Sequence, residues 1–312
     1  MWVPDRAVAV AAAVNCVEVS RKKADVSVDG FAFRPPPEYG PAPVTVLDTT
    51  CEGIWLLQAL CGVEMLPAML VLRPYVSAGG PPVGHAGLAV LREAGAVLDG
   101  DLVHPTIARW IETLGAPDML LCGSIRRDEN YLRLAIARRD DLHVAITRCA
   151  DEVTVEEMGR VSSVRDLVRA VLPLAGAPVE PARFDPITVS TEGLLVGLND
   201  IVQGTHTPVV AFADLGISAE QRRVLMMAAD TPLQEVSLTM VQHDASGDHI
   251  AKAAVTVSDT AAGRIVTGPL LTEDGRWLTR ISPGTEDAIT RALRSLVGTL
   301  PCPAWRDHSR EN

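Results

Sequence analysis

Two stretches of this chain begin in the same way. Glu52-Gly53 opens an apolar helical run (Ile54, Trp55, Leu56, Leu57, Leu60), and Glu192-Gly193 opens another (Leu194, Leu195, Val196, Leu198, Ile201). Each run leads, through a second helix and a set of short strands, to a closing helix that stops at Leu-Pro. These closing helices span 164–172, before Pro173, and 287–300, before Pro301. A helix–helix–strands–helix unit written twice constrains the fold to two halves about a pseudo-twofold axis. Such a body offers broad surfaces, and neither copy carries a recognisable reaction centre.

The chain is long enough to bury a large core: 312 residues, 47% of them hydrophobic. Its formal net charge of -11 argues against nucleic acid as a partner, because phosphate binding draws on Lys/Arg clusters. The densest basic runs are Arg21-Lys22-Lys23, Arg126-Arg127 and Arg138-Arg139, all short and flanked by acids. Six cysteines (16, 51, 61, 122, 149, 302) are scattered without a C-x-x-C pair. That spacing speaks for free thiols in a reducing cytoplasm and against a disulfide framework. The Ala/Val run after Arg6 is too short, and lacks the small-residue cleavage site, for a secretory signal. No window reaches the ~18 apolar residues of a membrane span.

Organisation follows from turn and cap chemistry. Residues 1–44 contain Pro35-Pro36-Pro37 and no sustained period, so they read as an extended tail or linker. The first α+β subdomain is expected over 45–175. It comprises a strand at 44–47, a helix capped by Thr49 or Thr50, a second extended run at 70–75, and helices at 86–95 and 105–115. Strands at 119–126, 131–138, 143–149 and 152–156 follow. Residues 77–84 read as a loop by composition. The segment 173–186 carries four prolines and separates the units. The second subdomain, 187–305, is expected to place helices at 191–203 and 218–229, then strands at 236–243, 249–259, 263–270 and 277–282. Short turns between strands imply antiparallel pairing. The class is therefore α+β: two antiparallel sheets with flanking helices, and C-terminal helical packing.

Familiar catalytic constellations are missing. Gly79-Gly80-Pro81-Pro82-Val83-Gly84 has no following Lys and too few backbone donors to cradle phosphate. Ser124 lacks the G-x-S-x-G elbow. His243 and His249 flank a hairpin turn without a third metal ligand. No cofactor, metal or catalytic residue is assigned, and the chain reads as a non-enzyme. A hydrolase reading would have to draw on His85, His143, Ser124 and Asp140 without a motif. A protein-interaction domain with an unrelated ligand is the other alternative.

Specific blocks remain. Glu52-Gly-Ile-Trp-Leu-Leu-Gln-Ala-Leu60 and Leu72-Arg-Pro-Tyr-Val-Ser77 resemble the opening of the EspG family of mycobacterial type VII (ESX) secretion systems. The stretch 89–97, Leu114-Gly-Ala-Pro-Asp118, the strand pair around Ala137-Arg-Arg139 and Val257-Ser-Asp-Thr-Ala-Ala-Gly-Arg-Ile265 continue the similarity. Ser282-Pro-Gly-Thr285 and Leu300-Pro-Cys-Pro-Ala-Trp305 complete it. The resemblance implies a cytoplasmic chaperone that binds PE–PPE heterodimers at the PPE tip, on an α+β fold with quasi-twofold halves. An apolar helical tip needs a groove with adaptable apolar walls, and methionine suits re-packing. Met226, Met227, Val236, Leu238 and Met240 are the expected partner-binding residues, with the strand 236–242 and the closing helix 287–300 as the groove. Exposed sheet edges leave a homodimer possible.

Overall fold

A computed structural model describes residues 44–311 apart from 77–83, 86, 128–129 and 231. The expectations for the tail and for the Gly/Pro-rich loop lie outside the described residues. Strand β1 (Val46–Thr50) runs into helix α1 (Cys51–Cys61), followed by α2 (Gly87–Glu93) and α3 (Pro105–Gly115). Strands β2 (Met119–Arg127), β3 (Asn130–Arg139), β4 (Leu142–Cys149) and β5 (Glu152–Glu157) precede the closing helix α4 (Val164–Val171). The second half repeats the order: β6 (Ile187–Ser190), α5 (Thr191–Gln203), α6 (Pro208–Asp214), α7 (Ala219–Asp230) and β7 (Gln234–Asp244). It continues with β8 (Gly247–Ile250), β9 (Val255–Thr260), β10 (Gly263–Leu271), β11 (Trp277–Pro283) and α8 (Glu286–Val297).

Both copies start their first helix with the same chemistry. Thr50 Oγ1 accepts from Gly53 N (3.2 Å) and Ser190 Oγ from Gly193 N (3.3 Å), each satisfying an otherwise orphan donor. Both helices end on a left-handed glycine, Gly62 (φ 67°) and Gly204 (φ 72°), a conformation that a Cβ would penalise. Pro105 occupies the first turn of α3, where its missing N–H costs nothing.

All strands join one antiparallel sheet in the order β1-β5-β4-β3-β2-β7-β9-β10-β11-β6, with β8 paired only to β7. Read outward from the central β2–β7 pair, the two halves have matching strand orders. The two expected sheets are therefore fused. The seam is antiparallel, with Gly123 opposite Leu238 and Ser124 opposite Ser237.

Strand alternation sends neighbouring residues to opposite layers. On one face, α4 and α8 cover the centre of the sheet; Leu121, Leu134, Leu238, Met240, Leu167 and Leu293 pack there. On the other face, α1–α3 cover the first half around Trp110, Ile54, Leu56 and Ile107. Helices α5–α7 cover the second half with a smaller cluster around Phe212, Ile217 and Ile281. The chain after α8 is strapped across the strand ends. Gln242 Oε1 accepts from Cys302 N (3.0 Å), Asp118 Oδ1 accepts from Arg310 N (2.9 Å), and buried Arg138 donates to both Asp118 (3.2 Å) and the His308 carbonyl.

Some local expectations differ from the structure. Residues 70–75 form no strand: Ala68–Leu70 is a 3-10 turn, and Val71 (φ 53°) breaks the extended run between Pro67 and Pro74. The run 249–259 splits into β8 and β9: both pair with β7, Val241 opposite Ile250 and Leu238 opposite Val255, but four residues, 251–254, lie opposite only Thr239 and Met240 and bulge out of the ladder. Helix α6 and strand β6 were not expected, although Thr207 before Pro208 is an N-cap signal. The described cysteines are free. Burial pushes the Cys61 and Cys122 thiols up to about 12, which keeps them unreactive. Among the described residues no helix is long and apolar enough to cross a membrane.

Gly263 (φ 107°) turns β9 into β10, and an added Cβ would lie 2.7 Å from both Glu180 O and Ala182 N. Gly263→Ala should therefore lower unfolding stability by on the order of 2 kcal/mol, read as a shifted urea midpoint. His143 offers a pH test. Its Nδ1 donates to Asp141 O (3.1 Å), and its Nε2 accepts from Trp305 Nε1 (3.1 Å), so the ring is held neutral. Burial lowers its pKa, opposed by the Asp141 carbonyl. In the unfolded chain the imidazole takes its proton first, near pH ~6.5, so its contribution is full above that value. It is lost as pH falls through the lower folded value. Urea midpoints should drop on mild acidification with Trp305 becoming solvated, and His143→Gln should flatten that dependence.

Candidate partner-binding surface

The two first helices share caps but not burial. In α1, Ile54, Leu56 and Leu57 are fully buried. The chain after Gly62 turns back over this helix: Arg73 lies 4.1 Å above the Trp55 ring, Tyr75 meets it edge-on at 5.9 Å, and Glu52 pairs with Arg73 (3.0 Å) and His85 (2.9 Å). In α5 no residue is buried. Only Thr205, His206 and Thr207 separate its Gly204 cap from α6, so this connection lays no segment over α5, and among the described residues none covers it. Leu195 (63% exposed), Leu198 and Val202 form a stripe at helical spacing, with Val196 beside it and Val209 and Val210 opening the adjoining α6. Contiguous exposed apolar surface of this kind is a candidate interaction site.

The same side of the sheet is open at its centre, between the two helix groups. Ser124, Ser237 and Thr256 stand directly across β2, β7 and β9, half-buried and in register. The next row along is Arg126, Glu235 and Ser258. A hydroxyl-rich floor between apolar helices can hydrogen-bond polar groups of a docked polypeptide. Exposed Met65 and Val71 stand on the segment over the first half, and Met226 on α7 over the second. The corner beneath α7 is fixed by a buried fork, Arg264 Nε and Nη2 to Asp259 Oδ1 and Oδ2 (2.6 and 2.8 Å), with Gln234 Nε2 donating to Asp259 (3.2 Å).

The five expected partner-binding residues divide. Met226 is exposed and Met227 is half-buried, lining a shallow cleft with Val224 and Ala262. Val236, Leu238 and Met240 are 0–2% exposed, enclosed beneath α4 and α8. Strand parity is the reason: α8 lies on their face and fills the expected groove with the protein's own core. The solvent-side residues of this strand are Glu235, Ser237 and Thr239. Thr239 Oγ1 donates to Ala253 O (3.2 Å). Sequence reasoning missed the α5–α6 face, whose signal was the three-residue connection after Gly204.

The other candidate groups are held apart. His85 pairs with Glu52, and His143 with Trp305. Ser124 sits mid-strand, and Asp140 occupies a turn with φ 54°, its N–H donating to Asp118. His243 and His249 each pair with an acid of their own hairpin, Asp248 (2.6 Å) and Asp244 (2.8 Å), rather than with each other. Among the described residues no group of His, Cys, Asp and Glu is arranged to hold a metal ion.

The chain is similar to several known proteins. The ESX-5 secretion-associated protein EspG5 of Mycobacterium marinum is 28% identical over 299 residues, covering 85% of this chain and 97% of that protein. The ESX-1 secretion-associated protein EspG1 of Mycobacterium tuberculosis is 31% identical over 214 residues, covering 67% and 70%. The fold is shared with the M. tuberculosis type VII secretion chaperone EspG5, solved in complex with a PE25–PPE41 dimer. That likeness has a TM-score of 0.76 at 24% identity, over 85% of this chain and all of that one. The EspG family model matches residues 50–295, from the cap of α1 to the last turns of α8, and the chain belongs to the EspG family.

Proposed function

We propose that this protein is a cytoplasmic chaperone of a type VII (ESX) secretion system. It binds a PE–PPE heterodimer at the PPE tip, keeps the pair soluble and directs it to its cognate machinery. Family membership supports the reading, as does the relative of shared fold that was solved with a PE–PPE dimer. The observation that carries it is the uncovered apolar face of α5 and α6 beside an open, hydroxyl-floored strip of sheet. An aggregation-prone helical tip gains by covering such a face, at roughly 1 kcal/mol for each half-exposed Leu or Val that becomes buried. The Ser124–Ser237–Thr256 row supplies polar partners that an apolar groove alone would lack.

The test is co-expression with candidate PE–PPE pairs, followed by co-purification and measurement of the soluble PE–PPE fraction. Leu195→Asp with Val202→Asp should reduce co-purification at least ~10-fold while leaving the melting temperature of the free protein unchanged, since both side chains are already solvent-facing. Met226→Asp should weaken it less. Leu238→Asp is the contrasting case: it buries a charge in the core and should abolish folding instead. Full co-purification by a folded Leu195→Asp/Val202→Asp protein would show that the partner docks elsewhere.

A further inference from the structure

The opposite side of the sheet carries a second opening with different chemistry. Helix α8 covers the sheet centre and leaves a cavity of about 330 Å³ along its outer flank, over β10 and β11. Gly268, Leu270 and Ala292 give this groove an apolar floor. Arg280 on β11 and Arg291 and Arg294 on α8 line its rim, with the Ser282 and Ser295 hydroxyls between them. Among the described residues none of the three arginines forms an ion pair. Asp287, one turn before Arg291, lies within reach of its charge, but its hydrogen bond goes to Arg165 on α4. Three unpaired guanidinium groups around one groove are an exception in a chain of net charge -11.

The internal repeat supplies a control. The equivalent groove beside α4 lies over β4, β5 and β1, and its charged residues are Asp48, Glu152 and Glu156. The two copies have thus acquired opposite charge at matching places on one face. Stability does not require this, because exposed charges contribute little to folding.

We propose that the α8 groove is a docking site for an acidic polypeptide segment that alternates carboxylates with apolar side chains. The floor takes the apolar side chains and the arginine forks take the carboxylates. A phosphate ligand fits less well. The backbone amides of β10 and β11 are engaged in the sheet ladder and cannot cradle it. Because α8 packs on the face opposite α5–α7, the site can be filled while the α5–α6 surface holds its own partner. The site does not depend on what that partner is.

A fluorescein-labelled decapeptide alternating Glu and Leu is the probe, titrated against the full chain by anisotropy, with a Lys/Leu decapeptide as control. Binding should be selective for the Glu/Leu peptide and weaken with added salt. It should fall at least ~10-fold in Arg280→Glu/Arg291→Glu/Arg294→Glu. Leu270→Ser, which makes the floor polar without changing charge, should weaken it as well. Melting curves establish that both variants fold, and both should still co-purify with whatever engages α5. Equal binding of the two peptides, or no loss in the charge-reversed variant, overturns the proposal. So does displacement of the probe by millimolar inorganic phosphate at constant ionic strength. Sedimentation showing that the wild type is a dimer and the charge-reversed variant a monomer would assign the groove to a second copy instead.

Discussion

The β2–β7 pairing is the joint on which the rest depends. Without it, each half would end in a long unpaired strand whose free N–H and C=O groups invite association. With it, Met119 to Arg127 is matched residue for residue by Gln242 to Gln234, and an antiparallel pair carries a local twofold axis by construction. Both closing helices lie across this seam. Arg165 and Arg169 of α4 reach Glu286 of α8 (2.7 and 3.0 Å), but these pairs are solvated and contribute little. What fastens α4 and α8 to the joint is the apolar layer of Leu121, Leu238 and Met240 beneath them. The seam strand is therefore core on that face, and only its Glu235–Ser237–Thr239 face lies outside the core.

The difference between the copies turns this symmetric scaffold into one with distinct surfaces. The long connection after Gly62 folds Arg73 and Tyr75 over Trp55, so α1 is enclosed from both sides. The short connection after Gly204 delivers the chain straight into α6, and α5 keeps its stripe in water. One copy has spent its first helix on the core. The other leaves it available, at a cost in buried area visible in the smaller cluster around Phe212. Divergence of this kind needs no new fold, because caps, strand order and the closing helix are retained in both halves.

The legible parts of the sequence were those where local chemistry decides. Helix α3 spans 105–115 and α5 spans 191–203, as expected, because Pro105 fixes one first turn and Gly204 the other C-terminus. The antiparallel hairpin at Asp140-Asp141 follows from turn residues alone. Parity was legible only in part. Alternation along 236–240 separated Val236, Leu238 and Met240 from Ser237 and Thr239, but not which row faces a helix. That choice is made by α8, which is distant in sequence. Methionine was a misleading cue, since Met240 is fully buried while Met226 is exposed. The run 249–259 pairs with β7 on both sides of its break, so only the register, with 251–254 opposite Thr239 and Met240 alone, reveals the bulge between β8 and β9.

Two of the blocks that carry the family resemblance meet in space at a buried ion pair, and a third holds one of its own. Asp118 closes the Leu114–Asp118 block and Arg138 lies in the Ala137–Arg139 block, and in space they meet at 3.2 Å with both side chains almost fully enclosed. Asp259 and Arg264 bracket the Ala261-Ala262-Gly263 turn and form the second buried pair, a two-pronged one. Removing either partner strands a charge away from water, which costs far more than the intact pair contributes. Position and partner are thus coupled, and so is the backbone between them. Gly263 admits the close approach of Glu180 and Ala182, and the Asp118 carboxylate also receives Asp140 N and Arg310 N. Each block is a place where several elements converge on a single buried charge, at the corners that hold the sheet, α7 and the C-terminal strap in register. The α5–α6 face has no such node: a substitution in its apolar stripe strands no buried charge.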